Sequence, residues 1–259
     1  MSGHSKWAKI KHKKAITDAK KGKAFSKTAQ QIAVAARDGG PDLDVNFSLR
    51  LLVDKARAIS MPAENVKRAI ERGSGTGKEA FQVDEIVYEG YGPAKVSYIV
   101  KTLTDNKNRT VADLRKLFSD YGGNLGESGS VSWNFTQKGM VIVKAARLEK
   151  SEKFGEDAAE ISLNKDEVEL SLMDIAGVSD IKEGEESYLI VYTDPKELAK
   201  VRDAISELQF IIEEAELVWV ANNEKDATDD DIEKTENFIE ALEEIEDVQS
   251  IWTDVDSKL

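Results

Sequence analysis

VDEIVYEGYGPAKVSYIV, Val83–Val100, followed by KTLTDNKNRTVADLRKLFSDYGG, Lys101–Gly123, decides the fold class. Val83, Ile86 and Tyr88, then Val96, Tyr98 and Val100, have the short apolar spacing of strands, and Gly90-Tyr91-Gly92-Pro93 between them is a turn sequence. The period then lengthens: Val111, Leu114, Leu117 and Phe118 form the stripe of a helix that Asp105-Asn106-Lys107-Asn108 opens and Gly122-Gly123 closes. Two strands running into an amphipathic helix predict a mixed, α+β architecture.

Upstream, the pattern is helical throughout. Phe25, Ala29, Ile32, Ala33 and Ala36 share one face of a helix stopped by Gly39-Gly40-Pro41. A second helix, capped by Asp44 or Asn46, is expected to run to Ile59 and bury Leu49, Leu52, Val53, Ala56 and Ile59. A third starts near Pro62, uses Val66, Ala69 and Ile70, and ends at Gly73. Three such helices with short joints predict a small bundle. The linker that follows, GSGTGK, imitates a phosphate loop, but Arg72 stands where the first glycine belongs and Glu79 where a magnesium-binding hydroxyl belongs.

Downstream, GGNLGESGSVSWNF, Gly122–Phe135, is a glycine-rich loop followed by an alternation of Val131, Trp133 and Phe135 that predicts a strand. Thr136–Gly139 is read as a turn into a strand over Met140–Ala145. A weak helix over Lys165–Gly177, strands over Val178–Ile181 and Ser187–Tyr192, and a helix from Pro195 carrying Leu198, Val201, Ile205 and Leu208 follow. This β-α-β order predicts helices on one face of a mostly antiparallel sheet. Glu214–Ala221 alternates as a strand, Asp229–Glu246 carries the stripe Ile232, Thr235, Phe238, Ile239, Leu242 and Ile245, and Val248–Trp252 is a final strand. Asp229-Asp230-Asp231 suits the positive end of the helix it opens and is not read as a metal cluster.

The 259 residues carry a net charge of -13, unevenly spread. Residues 1–75 hold 16 Lys and Arg against 7 Asp and Glu, a local charge of +9, so the remainder carries -22. The basic character concentrates in Ser5–Lys27, SKWAKIKHKKAITDAKKGKAFSK, where Lys6, Lys9, Lys11, Lys13, Lys14, Lys20, Lys21, Lys23 and Lys27 face a single acid, Asp18. Lysines at this density repel one another and gain free energy by meeting a polyanion and releasing its counterions. Trp7 and His12 among them add flat rings able to stack on unpaired bases. Residues 1–22 lack a helical stripe and are expected to form an arm that orders on binding. A second cluster, Asn106, Asn108 and Arg109, joins the candidate nucleic-acid-binding set, because a cation at a helix start opposes the helix dipole and suits an outside anion or a backbone partner.

Other chemistry is poorly provided for. There are no cysteines, which excludes disulfides, thiolate metal sites and cysteine nucleophiles. The two histidines, His4 and His12, both lie in the arm, and no zinc spacing exists. No catalytic residues, metal ligands or cofactor are expected, and a magnesium-dependent enzyme working in an acidic interdomain cleft is the rival reading. No apolar run approaches a membrane span and the start lacks the apolar core of a secretion signal, so a cytoplasmic protein without membrane contact is expected.

GHSKWAKIKHKKAITDAKKGKAFSK, MPAENVKRAI, YEGYGP, DNKNRT and GGNLGESGSVSWNF together resemble, in order, the sequence blocks of the YebC/PmpR family over residues 3–139. The later part is similar mainly in layout. Two departures stand out: Ala94-Lys95 follows YGP where relatives often have glycine, and Thr28-Ala29-Gln30-Gln31 replaces a more charged stretch. The resemblance implies three domains: a basic arm and helical bundle over 1–77, a central α/β domain over 78–134 plus 214–259, and an inserted ferredoxin-like domain over 135–213. It also implies a non-enzymatic regulator of gene expression. Members are described as DNA-binding transcriptional regulators, mitochondrial relatives as translational activators, and some bacterial relatives are linked to relief of ribosome stalling. The expected partners are therefore DNA, ribosomal or transfer RNA, and the ribosome, with the protein a monomer or, alternatively, a dimer.

Overall fold

The computed structural model describes residues 18–76, 82–149 and 159–255. Two compact units divide them: Thr136–Val220 form one, and the described residues up to Phe135 and from Ala221 form the other.

The discontinuous unit opens with three helices, α1 (Asp18–Gly39), α2 (Phe47–Ala58) and α3 (Ala63–Gly73). Ile32, Ala36, Leu49, Val53, Ala56, Met61 and Ala69 form their core, with Phe25, Ala29 and Ile70 packed around it. Small residues dominate, which lets the helices approach closely. At Gly73 a β-carbon would lie 2.0 Å from the Ala33 carbonyl oxygen, so this contact between α1 and α3 requires glycine. Asn46 joins α1 to α2: its side chain accepts from the Leu49 amide at 3.0 Å and donates to the carbonyls of Ala35 and Gly40 at 2.8 and 2.7 Å. One buried amide thus caps one helix and closes the end of another. Among the described residues helix α1 already runs from Asp18, seven residues before the apolar stripe at Phe25, so the described end of the sequence-predicted arm is helical. Ala and Lys have high helix propensity, and a segment whose described side chains are half-buried or exposed needs no stripe to continue a helix.

A four-stranded sheet follows in the order β3-β1-β2-β9, built from β1 (Asp84–Tyr91), β2 (Ser97–Thr104), β3 (Asn124–Leu125) and β9 (Val248–Thr253). Strands β1 and β2 pair antiparallel from Asp84↔Thr104 to Tyr91↔Ser97, and β2 pairs antiparallel with β9. Helix α4 (Lys107–Asp120) and the unit's last helix, α7 (Asp229–Glu244), pack on this sheet. Tyr98, Phe118 and Phe238 meet edge to face, with ring centroids 4.9–6.1 Å apart, at the centre of a core that includes Val96, Val100, Leu114, Leu242 and Val248. Thr228 and Asp231 cap α7 reciprocally, which explains the acidic run at its start.

The β1–β2 connection holds Ala94 and Lys95 at φ 55° and 58°, in the left-handed region that favours glycine. Ala94 packs its methyl on the core, whereas Lys95 is exposed. Lys95→Gly is therefore expected to stabilise the protein by about 0.5–1 kcal/mol, the relief of left-handed strain less the entropy glycine loses on folding. A urea midpoint that falls, with unchanged slope, would contradict this.

The second unit is a βαββαβ chain: β4 (Phe135–Glu149), α5 (Lys165–Met173), β6 (Val178–Glu183), β7 (Tyr188–Thr193), α6 (Leu198–Glu207) and β8 (Phe210–Ala221). β4 pairs antiparallel with β7, β7 with β6, and β8 also pairs with β4, so the order β8-β4-β7-β6 is that of a ferredoxin-like sheet. An additional strand, β5 (Ala159–Ser162), pairs with the far end of β4 and had no sequence signal. Three sequence expectations are corrected. Thr136–Gly139 is not a turn: β4 runs through it, because Gly139 pairs with Thr193 and sits against Thr193 and Leu198 where a side chain would not fit. Helix α5 ends at Met173, not Gly177, because Asp174–Gly177 turn toward β6 with Gly177 at φ 101°. Trp133 is not on a strand, for the reason given next.

Candidate nucleic-acid interface

Of the sequence-predicted set, Lys6, Trp7, Lys9, Lys11, His12, Lys13 and Lys14 lie outside the described residues. Lys20 is placed by its backbone in α1, and the exposed Lys21 follows it. Lys23 and Lys27 lie two and six residues further along the same helix and meet the C-terminal end of α7. Lys23 Nζ pairs with Glu244 Oε2 at 3.1 Å, and Lys27 Nζ donates to the Glu243 carbonyl at 3.2 Å. A helix C-terminus exposes unsatisfied carbonyls and a negative dipole end, so two cations there are favourably placed. The departure at Thr28–Gln31 belongs to the same seam: Thr28 is buried, and Gln30 accepts from Gln249 of β9 at 3.3 Å.

Burial lowers the Lys27 ammonium to a pKa of about 8, aided by Lys23 and opposed by Glu243, Glu244 and Glu246. Its folded pKa lies below the ordinary 10.5, so the folded state binds fewer protons than the unfolded state between pH 8 and 10.5. Stability contributed by this group therefore rises with pH across that window, and below it the buried charge opposes folding. Lys27→Met is expected to flatten this rise. Urea midpoints of both proteins at the two ends of the window check it; parallel shifts would show that Lys27 is not the group responsible.

The second cluster is built into the fold. Asn106 caps α4 by accepting from the Arg109 amide at 3.2 Å. Arg109 Nη2 lies 2.9 Å from Asp105 and 3.1 Å from Asp247, a carboxylate that is 6% exposed and also accepts from the Thr110 hydroxyl at 2.6 Å. These carboxylates, Asp247 first, raise the guanidinium's pKa above its ordinary value. The cation that opposes the α4 dipole is thus held by two internal acids. Asn108, beside it, is exposed.

The glycine-rich loop holds a feature that sequence reading missed. Glu89, 6% exposed on β1, turns its carboxylate into the loop and accepts from the amides of Gly129, Val131 and Ser132 at 2.9, 2.8 and 2.8 Å. Burial pushes this carboxyl up, but those three amides and the Ser132 hydroxyl outweigh it and hold the pKa below the ordinary value. Gly129 adopts φ 90°, which permits the turn. With the Val131 and Ser132 amides taken by Glu89, no ladder can form through them, and Ser132–Asn134 close instead as a 3₁₀ turn. Val131 and Phe135 are buried, whereas Trp133 is 68% exposed. Asn134 then clasps the returning chain: its carbonyl accepts from the Asn222 amide at 2.7 Å, and its side chain bonds the Asn223 amide and carbonyl at 3.1 and 2.9 Å.

Among the described residues no group of three or more His, Cys, Asp or Glu could hold a metal ion, and no helix is long and apolar enough to cross a membrane. Helix α3 adds exposed cations, the adjacent Lys67 and Arg68 and, one turn beyond Arg68, Arg72.

A basic helical bundle built onto a split α/β domain, with a ferredoxin-like unit inserted at Asn134–Asn223, defines a multidomain α+β protein whose conspicuous chemistry is cationic and aromatic. Comparison with known proteins places it further. Residues 5–76 match the TACO1/YebC N-terminal domain and residues 83–255 match the TACO1/YebC second and third domain. A protein of Nitratiruptor sp. is 44% identical over 97% of this chain and 98% of its own length; one of Lactobacillus acidophilus is 42% identical over 98% of each. Both are named "Probable transcriptional regulatory protein". The crystal structure of a conserved hypothetical protein from Aquifex aeolicus superposes with a TM-score of 0.82 at 38% identity, covering 96% of each chain. The chain belongs to the TACO1/YebC family.

Proposed function

We propose that this protein is a non-enzymatic regulator of gene expression that grips nucleic acid through the basic arm and the start of α1. The observation that carries this reading is the charge segregation: nine lysines against one acid in Ser5–Lys27, inside a chain of net charge -13. Only a polyanion rewards such a concentration of like charge, by counterion release. The names of the relatives support a regulatory role. Within the grip, the exposed Lys21 and the lysines before it meet phosphate, while Lys23 and Lys27 orient α1 by holding the end of α7. Asn106 and Arg109 shape the α4 entry beside the exposed Asn108 and contribute to the surface in that way.

The target we favour is folded or single-stranded RNA, which places the protein in translation control at the ribosome. Trp7 and His12 among the lysines carry this preference, since stacking serves unpaired bases better than a closed duplex. A promoter-binding role would instead call for a reading helix and, often, a two-fold dimer. In-cell ultraviolet crosslinking of the tagged protein, with RNA and DNA sequenced from one sample, tests the choice. Ribosomal or transfer RNA is expected to dominate. Recovery of discrete promoter DNA would make the protein a transcriptional regulator, and recovery of neither would remove the nucleic-acid reading.

A further inference from the structure

We propose that Trp133 is a second nucleic-acid contact, a preset platform on which one unpaired base of a single strand stacks. This rests on the nucleic-acid reading above and adds a site remote in sequence from the lysine arm.

Four observations converge. The Trp133 side chain is 68% exposed, the highest value among the exposed aromatic residues described. Its indole Nε1–H donates to the Ser130 carbonyl at 3.1 Å, and the Tyr91 hydroxyl donates to that same oxygen at 3.0 Å. The indole's one polar valence is therefore satisfied inside the protein, and what it offers to a partner is its π face. The loop beneath is held by the three amide bonds to Glu89 and, on the other side, by the Asn134 clasp. An exposed tryptophan ordinarily loses rotamer freedom when it binds; here the fold has already fixed its direction, which lowers the cost of stacking.

The surroundings favour a base over an apolar protein partner. The hydrophobic neighbours along the chain, Val131 and Phe135, are 1% and 5% exposed, so the chain on either side of Trp133 adds no exposed apolar side chain to it. A protein hot spot sits in a pocket ringed by packed contacts. Trp133 instead follows Gly126–Ser132, a segment of glycines and serines with one exposed acid, Glu127, and the buried Val131, and adjoins the Asn134–Asn223 clasp, mostly small and polar groups of the kind that border a stacked base.

The test is equilibrium binding of the full chain to a fluorescein-labelled single-stranded RNA of mixed sequence and to the duplex made from it, across a salt series. Trp133→Ala is expected to weaken single-strand binding about ten-fold, Trp133→Phe to restore most of it, and duplex affinity to stay unchanged. The slope of log affinity against log salt should be the same in all three proteins, since no phosphate contact is lost. Thermal midpoints should also agree, because the substituted ring is exposed, which separates stacking from a structural role. Wild-type single-strand affinity in Trp133→Ala, or equal losses on strand and duplex, would overturn the platform while leaving the lysine grip standing. No binding by the wild-type chain to either probe would overturn both readings.

Discussion

Replacing Lys9, Lys11, Lys13 and Lys14 together by Gln is expected to weaken nucleic-acid binding by about 4 kcal/mol at roughly 0.15 M salt, close to a thousand-fold. Each lysine bound to a phosphate releases about 0.9 of a counterion from a duplex and about 0.7 from a single strand. At that salt concentration, one release is worth about 1 kcal/mol, and four act together because phosphate contacts along a strand are nearly independent. The slope of log affinity against log salt should therefore fall by about 3 to 4 units. Folding stability should hardly change, since like charges in a dense lysine run repel one another and stabilise little. A slope equal to that of the wild type would show that the arm is not the grip.

Glu89→Ala is expected to lower stability by about 3 kcal/mol, the largest single-residue effect considered. The substitution leaves the Gly129, Val131 and Ser132 amides without their acceptor. Each buried unsatisfied amide costs roughly 1–3 kcal/mol, of which relaxation of the loop and entry of water recover a part. Glu89→Gln keeps the shape and can keep its amide oxygen on the Val131 and Ser132 donors, but then sets its NH₂ against the Gly129 amide, so it should be damaging to a lesser degree. The carboxyl's folded pKa lies below its ordinary value of 4.5, so its stabilisation is present above about that pH and is lost as pH falls toward the depressed value. Both variants should thus show a shallower acid limb than the wild type. Urea unfolding at neutral pH and in mild acid measures the two effects; equal stability of variant and wild type would mean that water replaces the carboxylate at no cost.

Much of the architecture was legible because local periodicity and end signals agree. The stripes around Ile32, Leu49 and Leu114 lie in helices, Val96 and Tyr98 lie in a strand, and Asn46 caps α2. Illegibility arose where a distant group outbids the local pattern. The alternation Val131, Trp133, Phe135 reads as a strand, and only the Glu89 carboxylate, 42 residues from Val131, converts it to a turn that turns the tryptophan outward. Arg109 reads as a cation available to an outside anion until Asp247, 138 residues away, is brought beside it. Lys23 and Lys27 read as part of one uniform basic run, yet both are engaged by the end of α7.

By itself the sequence determined the α+β class, most of the elements, the family resemblance and the lysine-rich character of Ser5–Lys27, all of which follow from composition and from side-chain order within a few turns. Tertiary structure decided which of the described cations are paired internally and which aromatic ring faces solvent. Those outcomes depend on pairings between residues more than a hundred positions apart, or on one buried carboxylate, and no local propensity encodes either.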